Sequence, residues 1–159
     1  MLSAQDIGIA LQAAGLHPVV KDVNLYGIQN GGNDYEVFTG RLPEVYIRKQ
    51  VPLDLFEFQE HSWILATAMN RVNSQFTPVR VSAGYDTVYL CLCVEPGSFE
   101  SFSERLPQWL SYIEQAIDQL GQACEVAVRE DEQDDLSRVN KQLSDPAPDS
   151  PWLRGQKLS

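Results

Sequence analysis

The sequence is poor in positive charge. Its 159 residues hold 12 Lys and Arg against 22 Asp and Glu, a net charge of −10. Nucleic-acid binders collect Lys and Arg to neutralise phosphates, so this balance argues against a phosphate-binding surface. It disfavours adsorption to an anionic membrane for the same reason. Long apolar runs are missing too. No stretch of about 18 apolar residues exists, so no membrane-spanning helix is expected. Residues 1–15 have no basic n-region and carry Asp6, unlike a signal peptide. There are only three cysteines, Cys91, Cys93 and Cys124. An odd count without a disulfide framework fits a reducing cytoplasm.

Catalytic and metal-binding patterns are equally scarce. The two histidines, His17 and His61, lie in separate elements with no local Cys or Asp pattern around them. Cys91 and Cys93 alternate on one segment and lack the second pair or His motif that zinc needs. Gly31-Gly32 lacks the spacing of a phosphate loop and has no Lys-Ser or Lys-Thr after it. Neither a Gly-x-Ser-x-Gly elbow nor a His-Glu-x-x-His helix occurs. The carboxylates between Glu125 and Asp135 lack the glycine and ligand spacing of an EF-hand, and read as a solvated face or a disordered stretch. No cofactor is implied.

What is present is a chain long enough to bury a real core, with clear periodicity. Ser3 and Asp6 mark the start of a helix carrying Ile7, Ala10, Leu11 and Ala14, which Gly15 ends. Gly8 weakens that helix by about 1 kcal/mol relative to Ala, so tertiary contacts have to support it. Val19 to Gln29 reads as one strand. Asn30-Gly31-Gly32-Asn33-Asp34 is a turn, and Tyr35 to Thr39 is the returning strand. Val45 to Val51 is a third strand. A long helix follows, from Asp54 or a few residues later to about Ser74, with Pro52 near its start and Asp54 and Glu57 at capping-box spacing. Val79 to Ser82 and Thr87 to Val94 are two more strands. In the second, Val88, Leu90, Leu92 and Val94 alternate with Thr87, Tyr89, Cys91 and Cys93. The last core helix spans Ser103 to Leu120, with Pro107 in its first turn, Leu106, Leu110, Ile113, Ile117 and Leu120 as its stripe, and Gly121 as its stop. The organisation expected is residues 1–121 as an α+β domain and 122–159 as an acidic, Pro-containing extension whose last residues, from 144, are dispensable for folding.

The long helix carries the main functional clue. Phe58, Leu65, Met69, Val72 and Phe76 form a core stripe. Trp63, Ile64, Ala66 and Ala68 make its middle apolar nearly all round. A helix covered by one sheet needs one apolar stripe, so a second implies a central position or a partner. Trp63 and Trp109 are each candidates for a core anchor or an interface anchor.

In the order helix, three strands, helix, two strands, helix, residues 3–121 resemble the type III secretion chaperone-like fold. Within it they resemble the YbjN-like family of provisionally assigned bacterial sensory transduction regulators. The resemblance rests on Ser3 to Gly15, the hairpin across Asn30 to Asp34, and Ala66-Thr67-Ala68-Met69-Asn70-Arg71-Val72-Asn73 closing the second helix. It rests further on Val79 to Val94 and on Phe102 to Leu120. It implies helices packed on an antiparallel sheet, frequent homodimers, and no catalytic residues. In the secretion chaperones the second helix forms the dimer interface, which here points to Trp63, Ala66, Thr67 and Ala68. Clients of those chaperones bind as extended segments over apolar patches and strand edges. The functional expectation is a non-enzymatic protein-binding module, chaperone-like or regulatory, acting as a homodimer in the bacterial cytoplasm. The alternative is a small-ligand sensor or enzyme with a site assembled from distant residues. A pocket joining His17 or His61 to several carboxylates would favour that alternative.

Overall fold

The computed structural model of the protein describes residues 1–53, 62–75 and 78–144, the side chains of Ser62 and of residues 140–144 excepted. The first helix, α1 (Ala4–Ala13), begins with a complete capping box. The Ser3 N–H donates to Asp6 Oδ2 at 2.9 Å and the Asp6 N–H donates to Ser3 Oγ at 3.1 Å. Its other end is a Schellman motif: Gly15, at φ +80°, donates to Gln12 O and Leu16 donates to Leu11 O. Ile7, Ala10 and Leu11 are fully buried.

The segment expected as one strand from Val19 to Gln29 is two. β1 (Val19–Asp22) and β2 (Leu25–Asn30) pair antiparallel around a turn at Val23-Asn24. Asn24 takes a left-handed φ of 60°, and the Asp22 carboxylate accepts from the Val23 N–H at 2.7 Å. The left-handed conformation is one that Asn tolerates in a tight turn. Thr39, buried, sends both its N–H and its hydroxyl to the Asn24 carbonyl and ties this turn to the sheet. β3 (Asn33–Arg41) follows a two-residue loop in which Gly31 and Gly32 both have positive φ, the primed hairpin geometry. β4 (Glu44–Pro52) returns antiparallel beside it. Pro52 closes this strand opposite Thr87, and the helix start expected after it falls on residues 54–61, outside the described residues.

The helix α2 (Ser62–Ser74) ends where the sequence places it. Asp54, Glu57, Phe58, His61 and Phe76 lie outside the described residues. The buried side of α2 is Ile64, Leu65, Ala68 and Val72, and Met69 is half-buried. The core stripe is thus rotated from the expected one toward Ile64 and Ala68. β5 (Val79–Ala83) and β6 (Thr87–Val94) complete a six-stranded antiparallel sheet in the order β1-β2-β3-β4-β6-β5.

The last helix, α3 (Phe99–Ser144), is much longer than expected. It starts four residues earlier, because Ser98 caps it by accepting from the Ser101 N–H at 3.1 Å. Pro107 is therefore inside the helix rather than in its first turn. Gly121 does not end it. A single glycine costs only about 1 kcal/mol, and Leu120, Ala123 and Cys124 around it are buried. Leu106, Leu110 and Ile113 are buried as the stripe requires, Trp109 is core beside Phe102, and Ile117 is half-buried while Ala116 takes the inner position.

The chain divides into two compact units, Met1–Cys124 and Glu125–Ser159. The described part of the second is helical. Its carboxylates are mostly exposed, and the ion pair of Arg138 with Asp135 is exposed on both sides and contributes little. The proline-rich stretch and Trp152 and Leu153 lie outside the described residues.

In the first unit the helices cover one face of the sheet. Strand alternation sends Ile28, Tyr35, Val37, Val45, Ile47, Val81, Val88, Leu90 and Leu92 to that face, all buried. One charged cluster crosses the layer. Glu114 of α3 accepts from Lys49 Nζ of β4 at 2.6 Å and from the Tyr35 hydroxyl of β3 at 2.5 Å. Burial, then the Glu114 hydrogen bond, push the Tyr35 phenol well above its ordinary range, so it stays neutral and donates. α3 is thereby pinned to two adjacent strands.

Candidate functional site: the open face of the sheet

Alternation puts the other half of the strand residues on the opposite face. The register arranges them in rows running across the strands. Leu25, Phe38, Tyr46 and Cys93 are successive cross-strand partners and make an apolar row over β2, β3, β4 and β6. Next to it, Gly27, Glu36, Arg48, Cys91 and Arg80 make a charged row.

Each row is built by specific contacts. The Phe38 and Tyr46 rings meet at 6.4 Å between centroids, tilted by 47°. Phe38 lies over Gly40, where a Cβ would come within 2.3 Å of its ring. A glycine two residues along the same face thus makes room for the ring. In the charged row, Lys21 lies across Gly27, where its Cδ is 2.9 Å from the position of a Cβ. Lys21 reaches Glu36 at 3.2 Å, and Arg48 holds the same carboxylate through Nη2 at 2.5 Å and Nε at 3.1 Å. Gln50 adds a further donor at 3.1 Å. Burial alone would raise the Glu36 pKa, but the bonds from Arg48, Lys21 and Gln50 outweigh it and hold it below the ordinary range. The Arg48 guanidinium lies 5.3 Å from the Tyr89 ring centroid, a cation–π contact.

A cavity of about 580 Å³ opens on this face, lined by Leu25, Glu36, Phe38, Arg41, Tyr46, Arg48 and Cys91. Arg41 is exposed and makes neither a hydrogen bond nor an ion pair among the described residues. Glu44 is its cross-strand partner, yet the Glu44 carboxylate accepts from Cys93 Sγ at 3.5 Å. The thiols are not activated. Burial pushes Cys91 and Cys93 up, Glu44 adds to the effect on Cys93, and burial raises Cys124. Such groups are thiols, not thiolate nucleophiles.

The residues expected at an interface are placed unevenly. Trp63 is 45% exposed, and Ala66 and Thr67 are exposed beside it at helical spacing. Ala68 is fully buried in the core of its own chain and does not share that surface. His17 lines a separate open cavity of about 690 Å³ whose lining holds one carboxylate, Asp34, and not several. Among the described residues, no three His, Cys, Asp or Glu side chains are grouped as a metal site. No helix there is long and apolar enough to cross a membrane. Sequence reading missed the open face because its members are spread over five strands, β2 to β6. Only the alternation of Tyr89, Cys91 and Cys93 hinted at it.

The protein is thus an α+β protein with helices on one face of an open antiparallel sheet. Its fold is YbjN-like. It is similar to the crystal structure of YbjN from E. coli, provisionally named a transcription regulator, with a TM-score of 0.52 and 11% identity over 82% of this chain and 94% of that one. It is also similar to an uncharacterised protein from Methanothermobacter thermautotrophicus, with a TM-score of 0.52 and 14% identity over 78% of this chain and 97% of that one. Identities this low establish the fold alone. No family model matches the sequence, and no curated protein matches it.

Proposed function

We propose that the chain is a non-enzymatic protein-binding module, chaperone-like or regulatory, that acts as a homodimer in the bacterial cytoplasm. The observation that carries the reading is the open sheet face. Phe38, Tyr46, Arg41 and Arg48 line one trough there, with Tyr89 stacked under Arg48. Aromatic residues and Arg are the types enriched in protein interfaces, where they supply large contact area and directional bonds. The neutral thiols and the lone carboxylate beside His17 support binding over catalysis. The regulator name of the E. coli neighbour is consistent with this reading. The dimer is assigned to the exposed side of α2, with Trp63 as anchor and Ala66 and Thr67 beside it.

The test is quantitative co-purification from the native host with wild type, Phe38→Asp and Tyr46→Asp, each checked for folding by circular dichroism. The expected result is one or a few proteins retained by wild type and lost from both folded variants. Identical recovery with all three would refute the assignment of the face.

A further inference from the structure

We infer that the trough on the sheet face takes an acidic segment of a partner protein. The segment's apolar side chain lies on the Leu25–Phe38–Tyr46 row and its carboxylates meet Arg41 and Arg48. The inference rests on the protein-binding reading above and specifies the partner's chemistry. It follows from the state of the polar groups in the trough. The one carboxylate lining it, Glu36, already accepts from Lys21, Arg48 and Gln50. It has little left to offer a cationic ligand. Donors, in contrast, are available. Arg41 is without an ion pair among the described residues, since the carboxylate opposite it turns to Cys93. Arg48 is fixed by Glu36 and Tyr89 with its side chain still 40% exposed. A guanidinium held in place loses little freedom on binding a carboxylate and pairs with it through charge-assisted hydrogen bonds.

The net charge sharpens the point. A chain of −10 repels acidic ligands over most of its surface. Here two guanidiniums and one already engaged carboxylate leave the local balance positive. The shape favours a segment of protein over a small molecule. The apolar row crosses four strands, roughly 14 Å at the usual strand spacing. Its central ring, Phe38, remains 38% exposed. A small ligand needs walls that bury most of its surface, and a chain segment lying across the strands does not.

The experiment is fluorescence anisotropy on the full chain with a fluorescein-labelled decapeptide of alternating Glu and Leu. Peptides of the same length made of Lys and Leu, or of Glu and Ser, serve as comparisons. The acidic-apolar peptide should bind about tenfold or more tighter than either. Arg41→Ala should weaken it by about tenfold, Arg41→Lys by less, and Arg129→Ala, off the sheet, not at all. Equal binding of the acidic and basic peptides, or no effect of Arg41→Ala, would overturn the inference. Competition by phenylacetate as effective as by unlabelled peptide would also overturn it, by making this a small-carboxylate site. The two readings fail separately. If Arg41→Ala is silent while Phe38→Asp still strips the co-purified partner, the face binds protein but not by acidic recognition. If Phe38→Asp strips nothing, the protein-binding reading itself falls.

Discussion

Asn73 serves Val81 as a neighbouring strand would. Its Nδ2 donates to the Val81 carbonyl at 2.8 Å, and its Oδ1 accepts from the Val81 N–H at 2.9 Å. Val81 lies on β5, an edge of the sheet, and Asn73 sits in the last turn of α2. One side-chain amide therefore satisfies a pair of edge groups and ties the helix to the strand. Arg80 adds a bond to the Asn73 carbonyl at 3.2 Å. The opposite edge, β1, is managed by other means: it is short, carries Lys21 and has a register break between Val20 and Asp22. Both edges are thus blunted against pairing with another strand.

Removing the Asn73 amide should be costly. Asn73→Ala leaves a backbone pair without its partner and should lose about 1–3 kcal/mol in urea melts. Asn73→Asp keeps the acceptor but turns a carboxylate oxygen toward the Val81 carbonyl, so it should be no better than Ala. Aspartate restoring wild-type stability would mean that the Nδ2 bond contributes nothing.

Gly8 presents a conflict between local and tertiary preference. Helix propensity alone makes Gly8→Ala stabilising by about 1 kcal/mol. The structure argues the reverse. A Cβ at Gly8 would lie 2.6 Å from the Tyr26 hydroxyl oxygen and 2.8 Å from the ring carbon bearing it. That hydroxyl donates to the Ala4 carbonyl at 3.0 Å, so a ring that yields to the new methyl gives up this bond. Gly8→Ala should therefore lower the melting temperature, and adding Tyr26→Leu should recover part of the loss. A stabilised single variant would show that Tyr26 moves freely.

These two cases show what was legible in the sequence. Helix ends read well where a side chain next to the break supplies the bond, as Ser3, Asp6 and Gly15 do for α1. The strands β4 and β6 were legible from alternation, whereas the fold class came from the order of elements and the family resemblance it carries. The turn at Asn24 was hidden, because Val23 continues the apolar pattern and its neighbours are weaker turn formers than Gly31-Gly32. The stop expected at Gly121 failed because buried neighbours on α3 outweigh one glycine. The site was least legible. Leu25, Phe38, Tyr46 and Arg48 become neighbours only through register, which sequence spacing within a single strand does not specify.

The Glu36 cluster should be visible in acid. Its carboxyl pKa lies below the ordinary 4.5 because Arg48, Lys21 and Gln50 outweigh burial. A carboxyl depressed in the folded state adds stability that is complete above its unfolded value. That stability is lost as pH falls through the folded value. Wild type should therefore exceed Glu36→Gln in melting temperature near neutral pH, and the gap should close as pH falls below about 4. A gap that stays constant down to about pH 3 would assign the difference to packing.

The exposed side of α2 gives the last prediction. Trp63, Ala66 and Thr67 sit together at positions separated by three and four, with Trp63 45% exposed. Ala66 lets another helix approach closely and Trp63 has the area to anchor it. A two-fold contact uses the same patch twice, so one new charge enters the interface twice. Ala66→Glu should shift the mass from dimer to monomer in light scattering, with circular dichroism and melting temperature nearly unchanged because the side chain faces outward. Ala68→Glu is the matched contrast. Ala68 is fully buried in its own chain, so a carboxylate there should unfold the protein instead of dissociating it. A wild-type protein that stays monomeric at about 100 μM, far above micromolar dimer affinities, would remove the dimer, and so would an Ala66→Glu variant that keeps dimer mass.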